Sequence, residues 1–500
     1  MQFRCLSVLT LLCGAAQAQA PKPLLYRQQM LAMSATGGEL PFWFRANQYG
    51  IVPRGQTVYS VRSAWSVDYR PTPKTKGDSA WADIQKIDWG WGLEGVANVA
   101  RYPEQNREPM RQILVPEGYI KAKYKALEAW AGRRRETYGL GGDSPVGSGS
   151  YSWSGNALPM FKVQLGIPDY WPAQSRFSMK GTFAQGWFDK GFVEQSLLHQ
   201  KSFYVRWGRP TARLKFYGGF NHQVQWAGRT KRLTNEFIKD NQFPSSFKAY
   251  WYTIAGTSLN TVRNIDTTRY SLFDRGNRVG NHLGTLDLGA EIRIGKTSLL
   301  LYRQSIYEDG SLFYLSNIQD GLHGMRIRNH KTGTPRGLRL TDLVLEYLNT
   351  FSQGGDAFVE GDPYRRGRDD YFNHGQYRDG WAYKGRTLGT PFIAPATDLN
   401  PNLPPYLANN NNRVRVYHAG LSGQITDRIT ISLKASYSQN AGTYQAPFIP
   451  IVEQRSALAT IGFRLGRKGF WLNTVAAFDR GNLYTNNTGF MVGLVKTGEL

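Results

Sequence analysis

Residues 429–437 read Ile429-Thr430-Ile431-Ser432-Leu433-Lys434-Ala435-Ser436-Tyr437, with apolar side chains at every second position. The same alternation runs through Leu286, Leu288, Ala290, Ile292 and Ile294, set between Asp287, Gly289, Glu291 and Arg293. It returns at Ala459, Ile461, Phe463 and Leu465, set between Thr460, Gly462 and Arg464. A period of two puts one face of a strand in apolar surroundings and the other in a wet one. Further strand candidates are Phe203–Trp207, Leu214–Tyr217, Ser298–Tyr302, Leu343–Tyr347 and Val414–Leu421. Over 120–135 a helical stripe competes with a strand, and Tyr124 with its neighbours favours the strand. No period of 20 to 50 residues repeats, which disfavours solenoids and propellers.

The N-terminus reads as a secretory signal peptide. Arg4 supplies the positive region, Cys5 to Ala16 the short apolar one, and Ala16, Ala18 and Ala20 the small residues. Cleavage after Ala18 satisfies the small-x-small rule, giving a signal over 1–18; cleavage after Ala20 would extend it to 1–20 and leave Pro21 first. Both cysteines, Cys5 and Cys13, fall inside it, so the mature chain has no thiol for a disulfide, a metal site or a nucleophile. No later run of about 18 apolar residues predicts a membrane helix. Export and alternating strands together predict one domain over 19–500, a closed antiparallel β-barrel in an outer membrane with long extracellular loops. A mean hydropathy of −0.46 fits, because only alternate residues face lipid.

Three intervals exceed hairpin length: Gly139–Pro172, Asn221–Leu259 and Gly354–Asn412, the last with an Asn409–Asn412 run. Functional contacts are expected there. At the C-terminus Phe490, Val492 and Leu494 alternate, but Lys496 predicts that the last strand stops near Val495.

The net charge of +24 calls for an anionic neighbour. Export disfavours nucleic acid and leaves lipopolysaccharide phosphates or acidic polysaccharide. Gly295-Lys296-Thr297 resembles the end of a phosphate loop, but Ala290 stands where that loop needs glycine. The seven histidines show no helix spacing suited to zinc, and no cofactor or metal is expected. The carboxylates Glu308-Asp309, Asp320 and Asp369-Asp370 have the residue types of a glycosidase pair or a calcium loop, and equally those of ordinary salt-bridge partners.

Two constellations remain. Arg206, Arg293, Lys434 and Arg464 lie on polar strand faces, where Asp287 and Glu291 share a side with Arg293. They read as a salt-bridged network closing the lumen, or as a basic path for an anionic solute. The second is the loop series Tyr364, Asp369, Asp370, Tyr371, Phe372, Tyr377, Trp381 and Tyr383. Rings stack on sugar faces while planar polar groups bond hydroxyls. Asp369, Asp370, Tyr371, Tyr377, Trp381 and Tyr383 are therefore candidate saccharide contacts, although the same rings suit packing of the loop on itself.

Ordered segments along the chain resemble the Wzi-type capsule assembly proteins in their Bacteroidota form. They include Pro41-Phe42-Trp43-Phe44-Arg45-Ala46-Asn47-Gln48-Tyr49-Gly50, Trp153-Ser154-Gly155-Asn156-Ala157-Leu158-Pro159 and Gly166-Ile167-Pro168-Asp169-Tyr170. Others are Leu198-His199-Gln200-Lys201-Ser202, Gln225-Trp226-Ala227-Gly228, Asn317-Ile318-Gln319-Asp320-Gly321-Leu322 and Leu345-Glu346-Tyr347-Leu348-Asn349-Thr350. The resemblance implies a barrel of about 18 strands acting as a non-catalytic surface lectin, which binds or anchors capsular or other surface polysaccharide. A monomer among outer-membrane lipid and lipopolysaccharide is expected. The alternatives are a porin-like channel for anionic solutes and, more remotely, a glycan-modifying enzyme using Glu308, Asp309 and Asp320.

Overall fold

A computed structural model describes residues 22–70, 87–104, 108–308, 311–335, 337–359, 362, 367–466 and 468–500. The expected signal peptide, Asp309 and Tyr364 lie outside these residues. The chain forms an antiparallel sheet of 18 strands closed into a ring. The first half contains Leu25–Ala35 (β1), Thr57–Val67 (β2), Asp88–Arg101 (β3), Met110–Tyr124 (β4), Leu127–Arg133 (β5), Phe161–Trp171 (β6), Phe177–Trp187 (β7), Leu197–Trp207 (β8) and Leu214–Trp226 (β9). The second contains Asn281–Ile294 (β10), Thr297–Glu308 (β11), Gly321–Asn329 (β12) and Arg339–Asn349 (β13). A two-strand loop hairpin, Ala382–Tyr383 (β14) and Arg386–Thr387 (β15), precedes the last barrel strands. These are Val414–Gln424 (β16), Ile429–Gly442 (β17), Pro447–Leu465 (β18), Phe470–Gly481 (β19) and Asn487–Glu499 (β20). Pairing of β1 with β20, from Leu25↔Glu499 to Ala35↔Gly489, closes the ring.

The alternation sorts the side chains as expected. On β10, Leu286, Leu288, Ile292 and Ile294 are exposed on the outer wall, while Thr285 and Asp287 are buried inside. The 120–135 segment is strand up to Arg133 except for the two-residue turn 125–126, where Lys125 takes a left-handed φ of 54°. Three expected boundaries change. β9 runs to Trp226 and β10 begins at Asn281, so the loop expected over Asn221–Leu259 lies at 227–280. β6 occupies Phe161–Trp171, so the loop expected over Gly139–Pro172 is confined to 134–160. β20 runs to Glu499 rather than stopping near Val495. Lys496 does not end it, because its Nζ donates to the Lys468 carbonyl and lies 4.6 Å from the Phe470 ring centroid. A long stem with a wet head sits comfortably at a membrane boundary.

Connections at one end of the barrel are mostly short, 68–87 being the exception. Those between β4 and β5 and between β10 and β11 span two residues each, 125–126 and 295–296. At the opposite end lie 36–56, 134–160, 227–280 and 350–413. Both termini share the short-turn end, so this end is periplasmic and the long loops are extracellular.

Three of those loops turn inward. Residues 36–56, 134–160 and 371–399 fill the extracellular half of the lumen with Trp43, Tyr151, Tyr371, Phe372, Trp381 and Ile393, all buried. The loops bond one another through backbone: Tyr49 N–H donates to Gly155 O (2.7 Å), Ser154 N–H to Leu388 O (3.0 Å) and Thr390 N–H to Tyr151 O (2.7 Å). They also press on the wall. A Cβ added at Gly420 would overlap the Val146 carbonyl oxygen.

Trp43 ties this plug to the barrel. Its indole N–H donates to Ser436 Oγ at 3.1 Å, and Lys434 Nζ sits 4.8 Å from its ring centroid. Trp43→Ala is expected to cost about 3–5 kcal/mol, as large-to-small core changes do. Thermal unfolding in detergent should shift down accordingly, with the β-sheet circular dichroism signal retained below the transition.

Candidate functional site

The loop 350–413 carries most of the residues that sequence composition marks for sugar contact, and its chemistry is inward. Tyr371 OH donates to Asp320 Oδ2 (3.0 Å) and accepts from Asn317 Nδ2 (2.9 Å). Trp381 Nε1 donates to Ser152 O at 2.9 Å, with the ring edge-on to Trp153 and Phe188. Tyr377 stacks on Phe243 at 5.1 Å and donates to Ala227 O at 3.1 Å. Tyr383 donates to Asp189 at 3.1 Å and accepts from Arg133 at 3.4 Å. All four rings are at most 3% exposed. A ring covered on both faces presents none to a saccharide, so in this arrangement they pack the plug.

The carboxylates hold backbone. Asp320 accepts from the N–H groups of Ser352 (3.0 Å) and Gln353 (2.6 Å) and from Asn349 Nδ2 (3.1 Å). Glu308 accepts from Phe372 N–H (2.8 Å) and Tyr151 OH (3.1 Å). Asp369 accepts from Ser311 Oγ at 2.6 Å. Asp370, half-buried, receives Asn373 Nδ2 (2.9 Å), Asn412 Nδ2 (2.5 Å) and Tyr406 OH (3.2 Å). The Asn409–Asn412 run splints the same loop: Asn409 N–H donates to Asn373 Oδ1 (3.0 Å) and Asn412 Nδ2 to Tyr371 O (3.0 Å). Glu308 and Asp320 are thus buried structural acceptors. Among the described residues, no group of three or more His, Asp or Glu side chains is arranged to hold a metal ion.

The six lumen charges are dispersed rather than joined. Glu291 pairs with Lys215 (2.7 Å) and accepts from Tyr217 OH (2.7 Å), instead of neutralising Arg293. Asp287 accepts from Leu140 N–H (2.8 Å), Thr285 Oγ1 (2.6 Å) and Tyr204 OH (3.1 Å). Arg206 donates to Ala173 O and Ser178 Oγ, both at 2.9 Å. Arg293 Nε reaches Gly295 O at 3.4 Å, Lys434 lies against Trp43, and Arg464 lies near the periplasmic end of β18. An ion-pair belt does exist, built from other residues. Arg326 binds Asp342 (2.9 Å) and Asp143 (2.6 Å), Arg134 binds Glu128 (2.7 Å), Lys162 binds Glu136, and Arg135 binds Glu94. In the plug, Asp398 collects Arg386 (3.0 Å), Arg45 (3.3 Å) and Arg54 (3.3 Å). Burial alone would raise the Asp398 carboxyl; these three guanidinium groups hold it below its usual range. The void beside Trp153 and the one beside Phe42 hold about 10 Å³ each, at the limit for one water molecule.

Outside the plug, the long interval expected over Asn221–Leu259, which runs 227–280, carries a charge excess and an exposed ring that sequence composition did not single out. The loop 227–280 has nine Lys or Arg against four Asp or Glu. Its helix, Phe247–Ala255, is capped by Ser246 Oγ on Ala249 N–H and by Gly256 in the left-handed region. That helix buries Ala249, Tyr252 and Thr253 and leaves Trp251 60% exposed. Phe313, Tyr314 and Phe358 are exposed on neighbouring loops. A charge tally restricted to 227–280 would have marked this loop; the exposure of Trp251 depends on tertiary packing.

Burial lifts the Asp320 carboxyl to about 6, opposed by the two backbone N–H groups and Tyr371 OH. The folded value lies above the unfolded one of about 3.9. The linked stability is therefore full below pH 4 and is lost as pH rises through 6. Asp320→Asn is expected to flatten the wild-type fall in melting temperature between pH 4 and 6, measured by scanning calorimetry in detergent.

A family model described as capsule assembly protein Wzi matches residues 95–413. No curated protein matches the chain in sequence. Among solved structures, the chain resembles Wzi of Escherichia coli, an outer membrane protein described as a carbohydrate-binding β-barrel involved in group 1 capsule assembly. The TM-score is 0.56 at 14% identity, covering 94% of this chain and 83% of that one. OccAB4 of Acinetobacter baumannii covers 97% of this chain and 99% of its own at 10% identity, with a TM-score of 0.45.

Proposed function

Because the chain belongs to the Wzi capsule assembly family, we propose that it is a non-catalytic outer-membrane barrel that binds surface polysaccharide at its extracellular end and supports capsule or exopolysaccharide assembly. The observation that carries this reading is the apolar plug. Three loops with buried aromatic cores occupy the lumen, so a bound polymer is met on the cap rather than in a channel. On that cap the basic loop 227–280 offers positive charge and the exposed Trp251 ring. This combination suits an acidic polysaccharide: the ring stacks on an apolar sugar face while Lys and Arg meet carboxylates. The six residues marked by composition, Asp369, Asp370, Tyr371, Tyr377, Trp381 and Tyr383, support binding from beneath by fixing the loop that underlies the cap. The chain works as a monomer, exported by the signal at 1–18 into a membrane of lipid and lipopolysaccharide.

Retention on an immobilised polyuronate, with neutral dextran as control, tests this reading. Wild-type protein in detergent should be retained on the polyuronate alone and eluted by salt. Trp251→Ala should weaken retention by roughly tenfold, a loss of about 1.4 kcal/mol. Equal retention on both matrices, or no effect of Trp251→Ala together with Lys231→Gln and Arg232→Gln, would sink the proposal. For the channel alternative, planar-bilayer recordings of the folded barrel are expected to be silent; stepwise conductance at neutral pH would favour a porin-like role instead.

A further inference from the structure

The outer wall of the barrel is not uniformly convex. A groove of about 1260 Å³ crosses it from β9 to β19. Strand register explains its shape. One row of direct cross-strand partners runs Arg303, His323, Tyr347, Tyr417, Tyr437 and Arg455 over six neighbouring strands. The row two residues closer to the periplasm runs Leu301, Met325, Leu345, Ala419, Ala435 and Ala457. Three adjacent alanines make a shallow floor between larger apolar neighbours. Below them Leu343, Leu421 and Leu433 continue the apolar wall.

The upper row is a connected shelf. His323 and Tyr347 have ring centroids 6.1 Å apart, Tyr347 and Tyr417 5.1 Å, and Tyr417 and Tyr437 6.3 Å. The Arg455 guanidinium lies 5.6 Å from the Tyr437 centroid, with its side chain 67% exposed. At the other end Arg303 donates to the Ile318 carbonyl, which places the shelf beneath an extracellular loop. Arg415 stands one register step higher, with its guanidinium 4.6 Å from the Phe351 centroid. The carboxylate on this part of the wall is Glu453, 3.6 Å from Arg455. With strands about 4.8 Å apart, the shelf is roughly 24 Å wide.

Cations and tyrosine hydroxyls above, small apolar residues beneath and long apolar residues below them reproduce the polarity profile of one membrane leaflet, in the half nearer the extracellular loops. We propose that this groove binds an outer-leaflet glycolipid of the phosphorylated, multiply acylated lipid A class. Its phosphates meet Arg303 and Arg455, its sugars rest on the tyrosine shelf, and several acyl chains lie side by side over Ala419, Ala435 and Ala457. The width favours several chains over the two of a phospholipid, and the guanidinium groups match phosphate. The inference rests on the outer-membrane placement of the barrel and not on polysaccharide binding at the cap.

Native mass spectrometry of the detergent-solubilised full chain, loaded with bis-phosphorylated, hexa-acylated lipid A or with phosphatidylglycerol, tests it. Wild-type barrel should keep lipid A through delipidation in preference to phosphatidylglycerol. Arg303→Ser with Arg455→Ser should lower lipid A occupancy by at least about tenfold, the loss expected for removing two charge-assisted contacts. Ala435→Leu with Ala457→Leu, which fills the floor without touching the cations, should lower it similarly and keeps the test alive if the arginine variant does not fold. Heat-modifiable electrophoretic mobility reports folding in each case. Wild-type occupancy in both variants, or equal retention of phosphatidylglycerol, would overturn the proposal. So would a dimer that only these variants dissolve, since the groove would then be covered by a second copy. Polyuronate retention by the same preparations keeps the two readings apart. Lost lipid A binding with retained polysaccharide removes the groove alone, and the converse removes the cap alone.

Discussion

In hydrocarbon, no backbone N–H or C=O can be left without a partner, and the rest of this molecule follows from that constraint. The eighteen strands satisfy it by closing, with β1 paired to β20 along its whole length. A ring of that size encloses more space than wall side chains can fill. The chain fills it with its own extracellular loops, and those loops need apolar faces to stay. This is why tryptophan, tyrosine and phenylalanine concentrate in segments that composition marks as exposed loops. The polar requirement persists inside the plug, where Asp320, Glu308 and Asp370 take up backbone and amide donors that water would otherwise meet.

The wall was legible in the sequence and the plug was not. Alternation on β10, β17 and β18 reports directly which residues face out, because lipid and lumen differ sharply in polarity. Tyr371, Tyr377 and Trp381 carry no such signal. A ring among aspartates and asparagines has the same local composition whether it stacks on a sugar or on Phe243. Charge pairing failed to be legible for a geometric reason. Arg293 lies two residues from Glu291 on one strand, whereas Lys215 is the direct cross-strand partner of Glu291. Cross-strand neighbours on one face approach to about 5 Å and win over positions two apart on a strand. Lys496 misled in another way: a charge that ends an apolar pattern need not end a strand, since its stem can follow the wall to the water.

The net charge of +24 also finds a distribution. Part is neutralised in the lumen, in pairs such as Arg326 with Asp342 and Lys215 with Glu291. The loop 227–280 concentrates an excess at the cap, and Arg303, Arg415 and Arg455 place more on the outer wall beneath it. A barrel whose interior is occupied by its own chain meets its surroundings on these two surfaces.

The first inward loop reaches the last strands. Gly37 N–H donates to Asn487 on β20 at 2.8 Å, and Phe42 N–H donates to Asp479 on β19 at 2.8 Å. The beginning of the chain is therefore latched by its end, next to the seam where the ring shuts. Assembly order follows from this. The earliest plug segment meets β3 and the second inward loop early, through Ile51 O with Asn98 and Tyr49 N–H with Gly155 O, but its bonds to Asn487 and Asp479 form only when the final hairpin arrives, so its seating is completed as the ring shuts. A chain cut short before β19 would not make a smaller version of the same protein; it would make an open sheet holding a loose cork.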